Sequence, residues 1–493
     1  MSVSVSGNKP IALLWFRDDL RLADHPALTA ALAKGYAILP VYIDESPTPQ
    51  LRPLGAASRV WLHHALTALD HELKQRGSSL LIQRGEAQSV LKALIKATGA
   101  QALYWSRRYG EQERLIDSQI KNFARDSGLD TESFNAHLLV EPWQVTTKTG
   151  QPMKVFTPFW KAARALGEPL PPLPTPKTIP APDLPSKAFK PLSIAALNLL
   201  PTKPDWATSM MPHWTISESG AWTRLTNFLE HGLQGYAEDR NRPDLENVSR
   251  LSPYLRFGMI SPRQIWHAAV AACASDRSQA SDKDLSSFQS ELGWREFSYH
   301  LLYYNPDLAN QNYQSRFNDF PWMDHPDHLT AWQSGLTGYP IVDAGMRELW
   351  QTGFMHNRVR MITASFLIKH LMIDWRQGES WFWDTLFDAD CASNPASWQW
   401  VAGSGADAAP YFRIFNPILQ GERFDPKGAY VRHYVPEIAA LPNDLIHKPW
   451  TASPSTLAHC KIKLGHDYPL PLIDHGEGRD RALEAFKSLK PPA

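Results

Sequence analysis

The sequence predicts an α/β unit joined to a larger all-helical unit. Three observations carry that reading. Short apolar runs alternate with amphipathic stretches over residues 10–140, nine prolines fall within residues 169–191, and beyond about residue 215 the pattern is helical with few β-branched runs. Alternating strand-like and helix-like segments imply a parallel sheet, because each strand returns through a helix that covers one face. A proline cluster of that density favours extended chain and reads as an inter-domain linker.

The elements follow in chain order. Residues 11–16, 37–43, 80–83 and 102–105 are continuous apolar runs, as expected of strands buried on both faces. Residues 58–73 and 87–97, lying between them, are amphipathic and read as crossover helices. In the second half, 221–230, 262–272, 285–304, 343–352 and 356–373 are the expected helices, and no internal repeat is visible.

A chain of 493 residues with 43% hydrophobic and 20% charged residues has ample material for a core. Fifty Lys+Arg balance 50 Asp+Glu. Zero net charge argues against a uniformly basic nucleic-acid coat but leaves room for a local basic groove. The charge is split: residues 1–200 hold 23 basic and 17 acidic side chains, and residues 201–493 hold 27 and 33. Any nucleic-acid contact by the helical half therefore needs a focused patch. The three cysteines, Cys273, Cys391 and Cys460, form no C-x-x-C, so a disulfide scaffold and a cysteine zinc site are not expected. No basic-then-apolar leader opens the chain, and no apolar run has membrane-spanning length. The expected location is the cytoplasm, with no membrane contact. Nineteen tryptophans are an unusual number and need a use.

Several motifs have plainer readings beside the functional ones. Residues 403–408, Gly-Ser-Gly-Ala-Asp-Ala, fit G-x-G-x-x-A, but Pro410 and an aromatic stretch follow where the fingerprint needs a helix, so a loop is expected. Asp388 and Asp390 could bind a metal, or simply be a helix-start or polar loop pair. His63-His64 reads as structural. Asn357, Arg360 and Met361 share a helical face, which suggests a lined cavity or ordinary packing. Trp375, Trp381, Trp383, Trp398 and Trp400 could be core, an aromatic cage, a base-stacking platform or an electron route. No P-loop, H-E-x-x-H or G-x-S-x-G is present, which removes the usual support for kinase and hydrolase readings.

The chain resembles the photolyase/cryptochrome family over nearly its whole length. The resemblance rests on Trp15-Phe16-Arg17-Asp18-Asp19-Leu20-Arg21-Leu22, on Gly338-Tyr339-Pro340-Ile341-Val342-Asp343-Ala344, on Met355 to Met361, on Asp388 to Trp400, and on Tyr411-Phe412-Arg413-Ile414-Phe415-Asn416-Pro417. It implies a Rossmann-like antenna domain over 1–140, a linker over 141–214 and a helical FAD- and DNA-binding domain over 215–493. It further implies a monomeric, class I-like photolyase acting on damaged DNA. In that chemistry, reduced FAD excited by light passes an electron to a pyrimidine dimer flipped out of the duplex, the cyclobutane ring opens and the electron returns. The alternatives are a signalling cryptochrome and a (6-4) photolyase; a DASH-type cryptochrome is disfavoured by Met361. The roughly 80 residues after Asn416 are read as too few for a signalling extension.

Residue roles implied by the resemblance are as follows. Tyr236 and Val248-Ser249-Arg250-Leu251-Ser252 resemble the FAD phosphate-binding stretch, with Val248 standing where threonine is common. Arg295, the pair Arg360 and Asp388, and Asp390 resemble flavin-contacting residues. Asn394 resembles the asparagine facing flavin N5, and plant cryptochromes usually carry aspartate there. Glu291 resembles the carboxyl that hydrogen-bonds the thymine edge. Trp294 and Trp400 resemble the indoles that clamp the dimer, and Asn357 and Met361 resemble residues of the lesion cavity. The (6-4) enzymes carry histidines at those two positions to supply a proton. Arg240, Arg358 and Gln420 match DNA-contacting positions. Trp398, Trp375 and Trp322 resemble the triad that reduces oxidised flavin in light. Glu111 lies near the position of a folate-holding glutamate, so methenyltetrahydrofolate is the first choice of antenna and a deazaflavin the second.

Overall fold

The computed structural model describes residues 9–46, 48–184, 189–275, 279–408 and 412–489. The start of the N-terminal stretch, residues 1–8, lies outside the described residues, as do Pro410 and Tyr411.

Five parallel strands form the α/β unit: β1 (Ile11–Phe16), β2 (Ala37–Asp44), β3 (Leu81–Arg84), β4 (Ala102–Ser106) and β5 (Asp130–Phe134), in the order β3-β2-β1-β4-β5. Chain order reverses direction beside β1, as in one half of a doubly wound sheet. The apolar runs account for four of the five strands. Strand β5, Asp-Thr-Glu-Ser-Phe, is not among the expected strands, because an edge strand lacks the continuous apolar signal of a central one. Its Asp130 instead takes hydrogen bonds from Lys34, Tyr36 and Tyr104, which fasten the sheet edge to the helix Pro26–Ala33 and the turn after it.

The helix Ala56–Gln75 joins the two halves. Its fully buried Trp61 meets Trp214, Tyr254, Phe257 and Phe387 at ring-centroid distances of 5.0–6.2 Å. One apolar core therefore runs from the sheet into the helical half without a break. A second core lies wholly within the helical half, around Trp332, Val359, Leu367 and Tyr430. The proline-rich stretch is not a loose tether. The Ile179 N–H donates to the Arg76 carbonyl, the Ile38 N–H to the Pro180 carbonyl and the Leu192 N–H to the Ile82 carbonyl, so the segment is strapped along the α/β unit.

The helix expected over 356–373 is divided. Asn357–Ser365 is α-helical and Phe366–His370 forms a π turn. The wider turn carries buried Lys369, whose Nζ donates to the Ala402 carbonyl at 2.7 Å.

The long helix Asp282–Tyr304 is tied to the segment leaving the α/β unit by Glu296. The Leu139 and Val140 N–H groups donate to Glu296 Oε2 at 2.9 and 3.1 Å, while Oε1 is buried without a hydrogen-bond partner among the described residues. Burial pushes this carboxyl up to about 7 from 4.5, against the pull of Arg295 and the two N–H donors. A carboxyl raised in the folded state contributes stability below its unfolded value and loses it as pH rises through its folded value. Glu296→Gln is therefore expected to match the parent in thermal unfolding at pH 4 and to exceed it at pH 8, by on the order of 3 kcal/mol. Equal displacement at both pH values would refute this.

Candidate active site

Five chain segments enclose a cavity of about 530 Å³ in the helical half. They are 236–241, 248–255, one face of 288–301, 354–364 and 382–401, together with Ile265 and Ala406. The size is that of a cofactor or ligand pocket.

Its anchor is the Arg360–Asp388 pair. Arg360 Nη1 and Nη2 donate to the two Asp388 oxygens at 3.0 and 2.8 Å, Ser252 Oγ donates to Asp388 Oδ2 at 2.5 Å, and Arg360 Nε donates to the Met355 carbonyl at 2.7 Å. This bidentate fork is the strong form of the ion pair. Asp390 acts differently, since its Oδ1 accepts the Ala392 and Ser393 N–H groups and starts the helix Ser393–Ala402. Arg250 also lines the cavity and stands at φ +49°, a left-handed conformation that is uncommon for a side-chain-bearing residue and tends to mark functional sites.

Asn394 is held by a chain of contacts from the other domain. Its Nδ2 donates to the Glu379 carbonyl and to Glu379 Oε1 at 3.0 and 2.9 Å. Glu379 in turn receives both arms of Arg52, at 2.7 and 2.8 Å, and Arg52 lies over the Trp383 ring at 3.9 Å. The amide hydrogens are thus committed to Glu379, which leaves Oδ1 for the cavity.

Glu291 and Arg240 face each other at 2.5 Å. Burial pushes the Glu291 carboxyl up, and Arg240 opposes that shift. His356 caps the helix Asn357–Ser365 by accepting the Arg358 N–H on Nδ1. Burial, with help from four nearby arginines, holds its ring down to about 3, so it stays neutral. Burial and the charges of Arg240, Arg423 and Arg413 also push Arg358 down to about 10.

The cavity brings together Tyr236, Val248, Ser249, Arg250, Leu251, Ser252, Glu291, Trp294, Arg295, Arg360, Asp388, Asp390, Asn394 and Trp398. Arg240, Asn357, Arg358, Met361 and Trp400 also line it. Four expected residues do not. Gln420 lies on the neighbouring helix Pro417–Phe424. Trp375 is fully buried and donates its Nε1–H to Asn312, and Trp322 packs on Phe320 at 4.4 Å. Glu111 is exposed in the first turn of the helix Glu111–Asp126. It is also absent from the lining of a second cavity, of about 300 Å³, beside Met153, His300, Tyr304 and Tyr313. Trp398 packs against the helix that Trp375 opens: a Cβ on Gly378 would come within 2.1 Å of its indole. Arg52, Glu379 and Asn241 escape a reading of the sequence, and no local pattern marks them.

The donor set fits a flavin dinucleotide. Apolar walls from Phe382, Leu386 and Trp398 adjoin an arginine–carboxylate pair, a serine-arginine segment and Arg295, whose buried Nη2 has no hydrogen-bond partner among the described residues. Such a donor can meet a phosphate or carbonyl oxygen.

Residues 12–177 match the DNA photolyase family model, and residues 288–488 match the model for the FAD binding domain of DNA photolyase. The deoxyribodipyrimidine photo-lyase of Agrobacterium fabrum is 50% identical over 97% of this chain and 98% of its own length. Cryptochrome-1 of Arabidopsis thaliana is 35% identical over 99% of this chain and 72% of its own. The crystal structure of a class III photolyase from Agrobacterium tumefaciens superposes with a TM-score of 0.93 at 48% identity, covering 99% of both chains.

Proposed function

Because the chain belongs to the photolyase/cryptochrome family, we propose that this FAD-binding photolyase repairs cyclobutane pyrimidine dimers in DNA. The observation that carries the lesion assignment is the pair Asn357 and Met361, which line the cavity with Trp294, Trp400 and Glu291. Neither side chain can act as an acid, and opening a (6-4) adduct needs a proton donor. The adjacent His356 is no substitute, since it is buried, neutral and engaged as a helix cap.

FAD, when bound, supplies the light-driven electron. The protein's part is positioning. Arg360 and Asp388, with Ser252, fix one wall, while Arg250, Ser249 and Arg295 offer donors to the phosphates and ring oxygens. Asn394, with its amide hydrogens held by Glu379, would offer its carbonyl oxygen to the flavin ring. Trp294 and Trp400 offer stacking faces for a flipped dimer, at about 1–3 kcal/mol per base. Glu291, released from Arg240, offers its carboxyl to the pyrimidine edge. Trp398, Trp375 and Trp322 are proposed as the reducing route, and Gln420 as a DNA contact.

The 48% identity to a class III enzyme favours that class over the class I-like expectation. The antenna is proposed as methenyltetrahydrofolate, with a deazaflavin second, on the resemblance around Glu111 alone. The protein is further proposed to be a cytoplasmic monomer divided at 1–140, 141–214 and 215–493. Among the described residues no helix is long and apolar enough to cross a membrane.

The test is one illuminated assay on duplexes carrying either lesion. Repair of the cyclobutane dimer without repair of the (6-4) product is the expected result. Repair of the (6-4) product would overturn the lesion assignment. Repair of neither by flavin-loaded protein would favour the photoreceptor reading.

A further inference from the structure

Trp294 is a rim residue, 36% exposed, yet one of its faces is already taken. The Phe156 ring lies against it with centroids 3.7 Å apart and planes inclined by 8°. Phe156 opens the helix Phe156–Arg164, outside the flavin-binding segments, and is itself buried. The two helices can come this close because residue 293 is glycine: a Cβ there would fall 2.7 Å from the Trp160 ring.

The start of that helix is fixed from a third place in the chain. Val155, its N-cap, makes no side-chain cap. The orphan Phe156 N–H donates instead to Asp407 Oδ2 at 3.1 Å. Asp407 stands at φ +53° in the loop that follows the helix Ser393–Ala402, the helix that carries Trp400. That loop is braced at Ser404, whose carbonyl accepts the Gln314 N–H at 2.8 Å, and at Gly405, whose N–H donates to the Gln399 carbonyl at 3.0 Å. The stretch that imitates a dinucleotide fingerprint is thus a clasp between two helices.

We infer that Phe156 is a positioning residue for lesion recognition: it fixes the plane of Trp294, and through Asp407 it is tied to the element bearing Trp400, so that the gap between the two indoles exists before DNA arrives. The inference rests on the reading of Trp294 and Trp400 as the lesion clamp. A pre-ordered indole loses little rotamer freedom on binding, and that saving is confined to ligands that stack on it. Undamaged DNA, bound through its phosphates, does not draw on it.

The experiment measures Kd of the FAD-loaded protein for a duplex carrying one cyclobutane thymine dimer and for the same duplex undamaged. Phe156→Leu is expected to weaken dimer binding roughly 3–10-fold, with undamaged DNA unchanged. Phe156→Tyr, which keeps the stacking plane, is expected to restore it. In a Trp294→Ala background Phe156→Leu is expected to have no further effect, because its influence passes through that indole. Asp407→Ala acts from the other end of the clasp and is expected to give a smaller loss of the same selectivity. It decides the matter should Phe156→Leu fold poorly. Equal weakening of both duplexes, or additivity with Trp294→Ala, would overturn the inference. If Trp294→Ala itself leaves dimer binding intact, the clamp reading has failed. If Trp294→Ala weakens dimer binding while Phe156→Leu and Asp407→Ala do not, only the positioning role has failed.

Discussion

Asp388→Asn is expected to give folded protein that retains no FAD through gel filtration. The substitution keeps volume and one acceptor oxygen but removes the charge that Arg360 grips with both arms. The Asp388 side chain is only 4% exposed and that of Arg360 23%, so water cannot replace the lost partner fully. Breaking a buried pair from one side costs about 3–5 kcal/mol, because a charge is left uncompensated. That corresponds to a weakening of flavin binding of about a hundredfold to a few thousandfold if the whole cost falls on the cavity. It falls there because Arg360 keeps a second anchor, its Nε to the Met355 carbonyl, and so swings its freed arms within the cavity rather than leaving it. The flavin-to-protein absorbance ratio of the purified variant reads the outcome directly. A stoichiometric ratio would show that the pair is a structural brace and not part of the flavin wall.

Asp388 also shows what kind of residue a sequence can reveal. Together with Asp390 it stands out as a carboxylate pair, but pairing alone leaves open a metal site and a helix-start or polar loop pair. The structure separates the two: Asp390 starts the helix and Asp388 neutralises an arginine 28 residues upstream. The apolar strands β1 to β4 are legible because burial on both faces writes itself into consecutive residues. Strand β5 is not: at the sheet edge its Asp130 answers to Lys34 and Tyr104, and Phe134 is the single apolar residue it packs on the core. The π turn at Phe366–His370 leaves no trace, because Lys369 in the sequence looks like any helical lysine, and its burial depends on the Ala402 carbonyl and the Phe412 ring that its Nζ meets. Arg52 is the extreme case. It grips Glu379 across 327 positions of chain, Glu379 holds Asn394, and nothing near Leu51 or Pro53 marks that role. Of the nineteen tryptophans, Trp15, Trp61, Trp105, Trp266, Trp332 and Trp375 are fully buried, so much of the excess is packing, as its bulk would suggest. Trp294, Trp398 and Trp400 line the cavity instead, and the roles proposed for them rest on the resemblance.

Arg358→Gln is expected to weaken DNA binding about tenfold near physiological salt while leaving the free protein as stable as before, or more so. The two signs have one cause. Arg358 shares the cavity mouth with Arg240, and Arg413 and Arg423 are near enough to hold its charge down, to about 10. A folded-state value below the unfolded one means that the charge is disfavoured by folding throughout the neutral range, so deleting it relieves repulsion. Solvent near the rim limits that gain to about 1 kcal/mol, and the loss of the Asn241 hydrogen bonds and of the contact over Phe424 works against it. An arginine cluster held in place at a cost to stability makes sense where a polyanion docks, and it answers how a half-chain with 27 basic and 33 acidic residues can bind DNA at all. Phosphate contacts carry no sequence or lesion information, so Arg358→Gln should weaken damaged and undamaged duplexes in the same ratio and lower the slope of log Kd against log salt by about 0.9. This behaviour is the opposite of that expected for Phe156→Leu, which spares undamaged DNA. A loss confined to the dimer-bearing duplex would move Arg358 from the phosphates to the lesion, and a fall in thermal stability without any change in binding would make it a structural partner of Asn241 alone.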